Sequence, residues 1–138
     1  MKHKNEGVLI SKIQEKHGAR PDLRMWRNET AICWVGKRKG TTSDGDTVLW
    51  RGATRMLAGL AVGSADLIGL QMVPLSPTDY GAIFFALEVK TENTMTSLEQ
   101  TKFLKVIVEL GGIGAIVKSV EEVTAILGEP PKVWKAPK

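Results

Sequence analysis

The chain holds one cysteine, Cys33, and two histidines, His3 and His17, in 138 residues. A lone thiol closes no intramolecular disulfide and builds no cysteine-rich zinc site, and the two histidines form no zinc or other histidine-metal motif. Such cysteine usage fits a reducing compartment, so a cytoplasmic location is expected, with Cys33 as a buried structural thiol. Long apolar runs are also missing: nothing approaches the roughly 18 consecutive apolar residues of a membrane-spanning helix. The N-terminal MKHKNEGVLISKIQEKHG begins basic, but only three apolar residues follow before Ser11 and Lys12, too few for a secretory leader. No membrane partner is therefore expected. A strong charge imbalance is lacking as well, since 19 Lys and Arg face 15 Asp and Glu for a net charge of +4. That excess is compatible with a polyanionic partner without specifying one.

What is present describes an ordinary globular chain, 43% hydrophobic and 25% charged. Its length suits a single domain, spanning residues 1–138, able to bury a core without staples. Residues 6–17 carry Val8, Leu9, Ile10 and Ile13 with Gly18 behind them, which predicts a short amphipathic helix. Aromatic-rich runs predict strands from Leu23 to Arg27 and from Ala31 to Lys37, and KGTTSDGDT predicts a loop or hairpin turn. The segment from Val48 to Leu60 reads as helix or strand, with extended structure favoured. Residues 65–73 and 82–90 predict an antiparallel hairpin around the two-proline turn PLSPTDYG. Ser97 is placed to cap a helix ended by Gly111 and Gly112, residues 113–118 form a last core strand, and Ser119 with Glu122 predicts a capping box on a final helix. The tail, 128–138, is expected to be extended. Helix, several strands, helix, strand, helix make an α/β fold, a mixed sheet between helices.

The segment FFALEVKTENTMTSLEQ (84–100) carries the chemistry. Strand side chains alternate between faces, so Ile83, Phe85, Leu87 and Val89 form an apolar stripe that belongs to the core. Phe84, Ala86, Glu88 and Lys90 share the other face, which turns from apolar to charged at the strand's end. Antiparallel pairing sets the start of the preceding strand, Asp66, opposite Glu88. Two carboxylates and an ammonium then share one site. Glu88 and Lys90 alone make a common strand-end ion pair. With Asp66 they also make a set suited to phosphodiester hydrolysis: hard oxygen ligands for Mg²⁺ or Mn²⁺, and a lysine for the attacking water or the phosphate.

GSADLIG (63–69), ALEVKTENTMTSLEQTKFL (86–104) and GGIGAIVKSVEEVTAIL (111–127), together with LRMWRNE (23–29), resemble the VRR-NUC (virus-type replication-repair nuclease) family of the PD-(D/E)XK superfamily. The resemblance implies a restriction-endonuclease-like core, with a central mixed sheet flanked by helices. It implies that Asp66 and Glu88 hold the metal, that Lys90 is the catalytic lysine and that Gln100 faces the site. Ser97-x-x-Gln100 is equally a capping box. Glu6 matches an early acidic residue used as a further ligand or base, with Glu15 a weaker match. The chain departs from the family pattern after the Arg-Asn pair, where Asn28 is followed by Glu29-Thr30-Ala31, so the backbone turn there is expected to differ. The 37–52 stretch carries no function over.

The resemblance further implies a DNA endonuclease that cuts branched DNA such as Holliday junctions, acts as a homodimer and works in the cytoplasm of a bacterium or a phage-infected host. The alternatives are a flap- or end-specific nuclease and a DNA-binding or scaffolding module without turnover. Arg24 and Arg27, read as alternating on one strand face, the cluster Lys37, Arg38 and Lys39, and Arg51 with Arg55 are the candidate phosphate contacts. Trp26, Trp34 and Trp50 lie in predicted strands and are expected to pack in the core, leaving Trp134 in the tail for an interface.

Overall fold

A computed structural model describes residues 4–45 and 47–130, the side chain of Lys4 excepted. The expected extended tail therefore falls outside the described residues beyond Pro130, and Trp134 and His3 fall outside them altogether. The elements run α1 (Lys4–His17), β1 (Leu23–Arg27), β2 (Ala31–Thr41), β3 (Val48–Ala58), β4 (Leu67–Pro74), β5 (Tyr80–Val89), α2 (Leu98–Glu109), β6 (Ile113–Val117) and α3 (Val120–Leu127). The fold is α/β. A four-stranded mixed sheet has the order β1-β4-β5-β6, with the first three strands antiparallel and β6 parallel to β5. Helices flank both faces, the arrangement of an α/β nuclease-like core.

Register explains the two layers. Leu67 lies opposite Leu87, and Ile68 opposite Ala86, so alternate residues of the hairpin face alternate helices. Leu67, Phe85, Leu87 and Val89 pack with Ile10 and Ile13 of α1 and with Val123 and Leu127 of α3. Ala86, Phe84 and Ile68 pack with Leu104, Phe103 and Ile107 of α2. The predicted stripe on β5 is thus core, as its alternation requires. Gly69 marks the tightest point in the sheet: an added Cβ there would meet the Arg24 carbonyl at 2.0 Å and the Phe85 ring at 2.3 Å.

Three polar residues, Arg20, Asp22 and Gln71, tie the segment after α1 and strand β4 to the end of α3. Arg20 grips Asp22 with Nε and Nη2 at 2.9 and 2.6 Å, and donates to the carbonyls of Leu127 and Gly128 at 3.2 and 2.6 Å. Gln71 of β4 donates to the same Leu127 carbonyl at 2.7 Å. These donors satisfy carbonyls that the end of α3 leaves open. Arg20 also donates to Nδ1 of the buried His17 at 3.2 Å, which leaves the ring proton on Nε2 to reach Thr124 Oγ1 at 3.1 Å.

β2 and β3 form a second, separate sheet, an antiparallel ribbon that pairs only with itself. The undecided 48–60 stretch is a strand as far as Ala58, and β2 runs on through Thr41. The ribbon overturns the expectation that its tryptophans are core: Trp34 is 58% exposed and Trp50 45%, because among the described residues the ribbon joins neither core cluster. Trp26, on the outer face of β1, is likewise exposed. Cys33 is half-buried rather than buried, for the same reason as its ribbon neighbours. On β1, Arg24 and Arg27 are three residues apart and so point to opposite faces, correcting the shared face expected of them. At α3 the box is half formed: Ser119 Oγ accepts from Glu122 N at 3.1 Å, while the Glu122 carboxylate takes the Lys118 N–H at 2.7 Å.

Candidate active site

The end of β5 is where the charged side chains meet. Lys90 N donates to Val117 O at 2.9 Å, so β6 holds the strand straight to its last residue. Asp66 stands one step before Leu67, opposite Glu88 by continuation of the register, and its Oδ2 accepts from Val89 N at 3.1 Å. Glu88 is 1% exposed, Asp66 4% and Lys90 8%, an unusual density of buried charge that persists only when paired and hydrogen-bonded. Lys90 Nζ reaches Glu88 Oε1 at 2.7 Å. The same oxygen accepts from Gln100 Nε2.

Gln100 answers both readings of its sequence context at once. Its Oε1 accepts from Ser97 N at 2.8 Å while Ser97 Oγ accepts from Gln100 N at 3.2 Å, a complete capping box. Its amide nitrogen is left over, and that group binds Glu88. The cap therefore fixes the rotamer that reaches the carboxylate. α2 approaches this closely because Gly63, at φ 78°, has no side chain: an added Cβ would lie 2.6 Å from Glu99 Cβ.

Asn28 is the residue whose part in the site its sequence context does not reveal. Buried at the end of β1, it donates its backbone N–H to Asp66 O at 2.8 Å. Its side-chain amide donates to Ser64 Oγ at 2.8 Å and Ala65 O at 2.9 Å, and its Oδ1 accepts from Leu60 N at 3.1 Å. Thr30 adds a bond to Ala61 O at 3.1 Å. The Arg-Asn pair in LRMWRNE is the one signal that marks this position. Glu29, without an assigned role in the sequence, forms an ion pair with Arg27. A cleft of about 310 Å³ opens here, with Asn28, Ser64, Asp66, Ser97 and Gln100 in its wall.

The remaining candidates lie elsewhere. Glu6 is buried on α1 in line with Ile10 and Ile13, against the sheet face opposite to Glu88, with Oε1 lacking a hydrogen-bond partner. Glu15 is exposed on the same helix. Arg24 pairs with Leu70, well along β4 from Asp66, and donates to the carbonyls of Arg20 and Leu23 at 3.1 and 3.0 Å. Lys37, Arg38, Lys39, Arg51 and Arg55 all stand on the ribbon. Among the described residues no group of three His, Cys, Asp or Glu gathers closely enough to hold a metal ion. The donor set at β5 is two buried carboxylates with hard oxygens, which suits Mg²⁺ or Mn²⁺ because such ions keep several waters. Among the described residues no helix is long and apolar enough to cross a membrane.

No family model, curated protein or solved structure matches the chain.

Proposed function

We propose that the protein is a Mg²⁺- or Mn²⁺-dependent DNA endonuclease of the VRR-NUC kind, hydrolysing phosphodiester bonds in branched DNA in the cytoplasm. The observation that carries this reading is the convergence of Asp66, Glu88, Lys90 and Gln100 on one strand end. Asp66 and Glu88 would hold the metal, which when bound supplies an acidified water and neutralises charge on the phosphate. Lys90 offers a compact ammonium to the attacking water or to the phosphate oxygens. Gln100 keeps Glu88 oriented, and Ser97 keeps Gln100 oriented, so the carboxylate is set before substrate arrives. Asn28 fixes the backbone of Asp66. One site per chain cuts both strands of a junction by pairing or by acting twice, so a homodimer accompanies the reading.

The test incubates purified protein with labelled four-way junction, flap, linear duplex and supercoiled plasmid, with Mg²⁺, Mn²⁺ or EDTA. Cleavage that needs metal, prefers the junction and vanishes in Lys90→Ala is the expected result. A flap or end preference would move the substrate class. Shifted bands without cleavage in any metal would sink the enzyme and leave a binding module.

A further inference from the structure

The ribbon is the feature that the strand-end chemistry leaves unexplained. A lone two-stranded ribbon is only marginally stable in water, yet each strand here is 11 residues long, roughly 35 Å, and offers Ile32, Trp34, Val35, Leu49, Trp50 and Leu57 to solvent. Its two strands carry Lys37, Arg38, Lys39, Arg51 and Arg55 and no acid.

Register sorts these groups. Cross-strand partners share a face. Ile32 lies opposite Leu57, Trp34 opposite Arg55, and Arg38 opposite Trp50. The first irregularity falls between Val35 and Lys37, where three steps on β3 match two on β2; the extra residue belongs to β3, near Gly52 at φ 61°. β2 therefore alternates without interruption from Ile32 to Arg38, which puts Trp34 and Arg38 on one face. That face carries two tryptophan–arginine pairs in crossed order, Trp34 with Arg55 and Arg38 with Trp50. Between them sits Gly36, where an added Cβ would lie 3.0 Å from the Ala53 Cα and the Arg51 carbonyl. The four-residue step from Trp34 to Arg38 spans roughly 13 Å, close to four base steps of a stacked single strand.

Resting on the nuclease reading, we infer that the Trp34–Arg55 and Arg38–Trp50 face of the ribbon is a binding surface for unpaired DNA, with each tryptophan a platform for a base and each arginine a contact for a neighbouring phosphate. The chemistry is that of single-strand recognition: aromatic faces stack on any base, and cations follow the backbone. A second copy of the ribbon is disfavoured as the occupant, because it would set five cations against five. Flaps and frayed branch points expose unpaired bases, so the ribbon would give a nuclease its preference for such branches over plain duplex.

The test measures binding of the full chain in EDTA, by anisotropy of fluorescein-labelled oligothymidine and of a duplex of equal length. Trp34→Ala/Trp50→Ala is compared with the unmodified chain, and Arg38→Gln/Arg55→Gln serves as a second variant that keeps both rings. The expected result is single-strand affinity at least about tenfold weaker in the tryptophan variant, with duplex affinity changed by less than about threefold, and a weakening in the arginine variant that high salt abolishes. Unchanged single-strand affinity overturns the inference. So does equal loss on both DNAs, a dimer that becomes a monomer when the tryptophans go, or binding of phosphatidylserine vesicles in place of oligothymidine. The two readings fail separately: tryptophan-dependent binding without cleavage removes the nuclease and keeps the ribbon, whereas cleavage with tryptophan-independent binding does the reverse.

Discussion

At the scale of single residues, the buried groups divide into those that hold charge and those that must not acquire it. Lys90 and Glu88 neutralise each other at 2.7 Å under near-complete burial. On the nuclease reading, losing the ammonium should lower cleavage by about 100-fold or more, as for groups that stabilise transition-state charge, and Lys90→Arg should not restore it, because a planar fork does not replace a point charge. Single-turnover rates with saturating Mg²⁺ check both. His17 is the opposite case. Burial, then the charges of Arg20 and Lys16, hold its pKa below the ordinary histidine value. The folded protein therefore keeps the ring neutral where the unfolded chain, with a pKa of about 6.5, takes up a proton. The sign follows: this contribution is full above the unfolded pKa and is lost as pH falls from about 6.5 toward the lowered folded value. Thermal melts between about pH 8 and pH 5, limits that bracket these pKa values, should show Tm falling over that window, and His17→Gln should flatten the fall. Glu88, Lys90 and Asp66 are legible in the sequence because period-two alternation and antiparallel pairing are enough to gather them. His17 is not, because its partners Arg20 and Thr124 meet it only after α1 and α3 pack.

At the scale of elements, side chains bonded to distant backbone do most of the joining. Arg20 holds the end of α3 from a position more than 100 residues away in the chain. Arg20→Ala takes the ion-pair partner from Asp22 and the donor from the Gly128 carbonyl, leaving Leu127 O to Gln71, and urea unfolding should show a loss of about 3 kcal/mol, the lower range for breaking a buried pair. Asn28→Ala removes three side-chain bonds around the Ser64 turn and should lose about 2 kcal/mol. Its melt should be compared with that of Asn28→Asp, which keeps the acceptor for Leu60 N. Strand and helix positions are largely readable from the sequence, since β1 coincides with the Leu23–Arg27 run and α2 with the span between Ser97 and Gly111. The dual use of Gln100 is not, since a capping box is a local pattern and its reach to Glu88 depends on how α2 sits against the sheet.

At the scale of the whole molecule, two parts of different character share one chain: a sheet covered on both faces and a ribbon that, among the described residues, joins neither core cluster. Aromatic-rich runs bounded by breakers point to the first ribbon strand and leave 48–60 between helix and strand, but such runs do not reveal whether a second layer exists, which is why the sequence pattern points the ribbon's tryptophans to a core. The charge distribution has a measurable result. Replacing Lys37, Arg38 and Lys39 with Gln should reduce the salt slope of DNA binding by roughly one unit for each phosphate no longer neutralised, read from affinity titrations at several salt concentrations. Asn28 gives the architecture a mechanical meaning. Just beyond the ribbon, Leu60 N donates to Asn28 Oδ1 at 3.1 Å, and the Asn28 backbone N–H donates to Asp66 O at 2.8 Å. One residue thus couples the foot of the ribbon to the backbone of Asp66, and the exchange rates of the Asn28 and Leu60 amides report on that coupling.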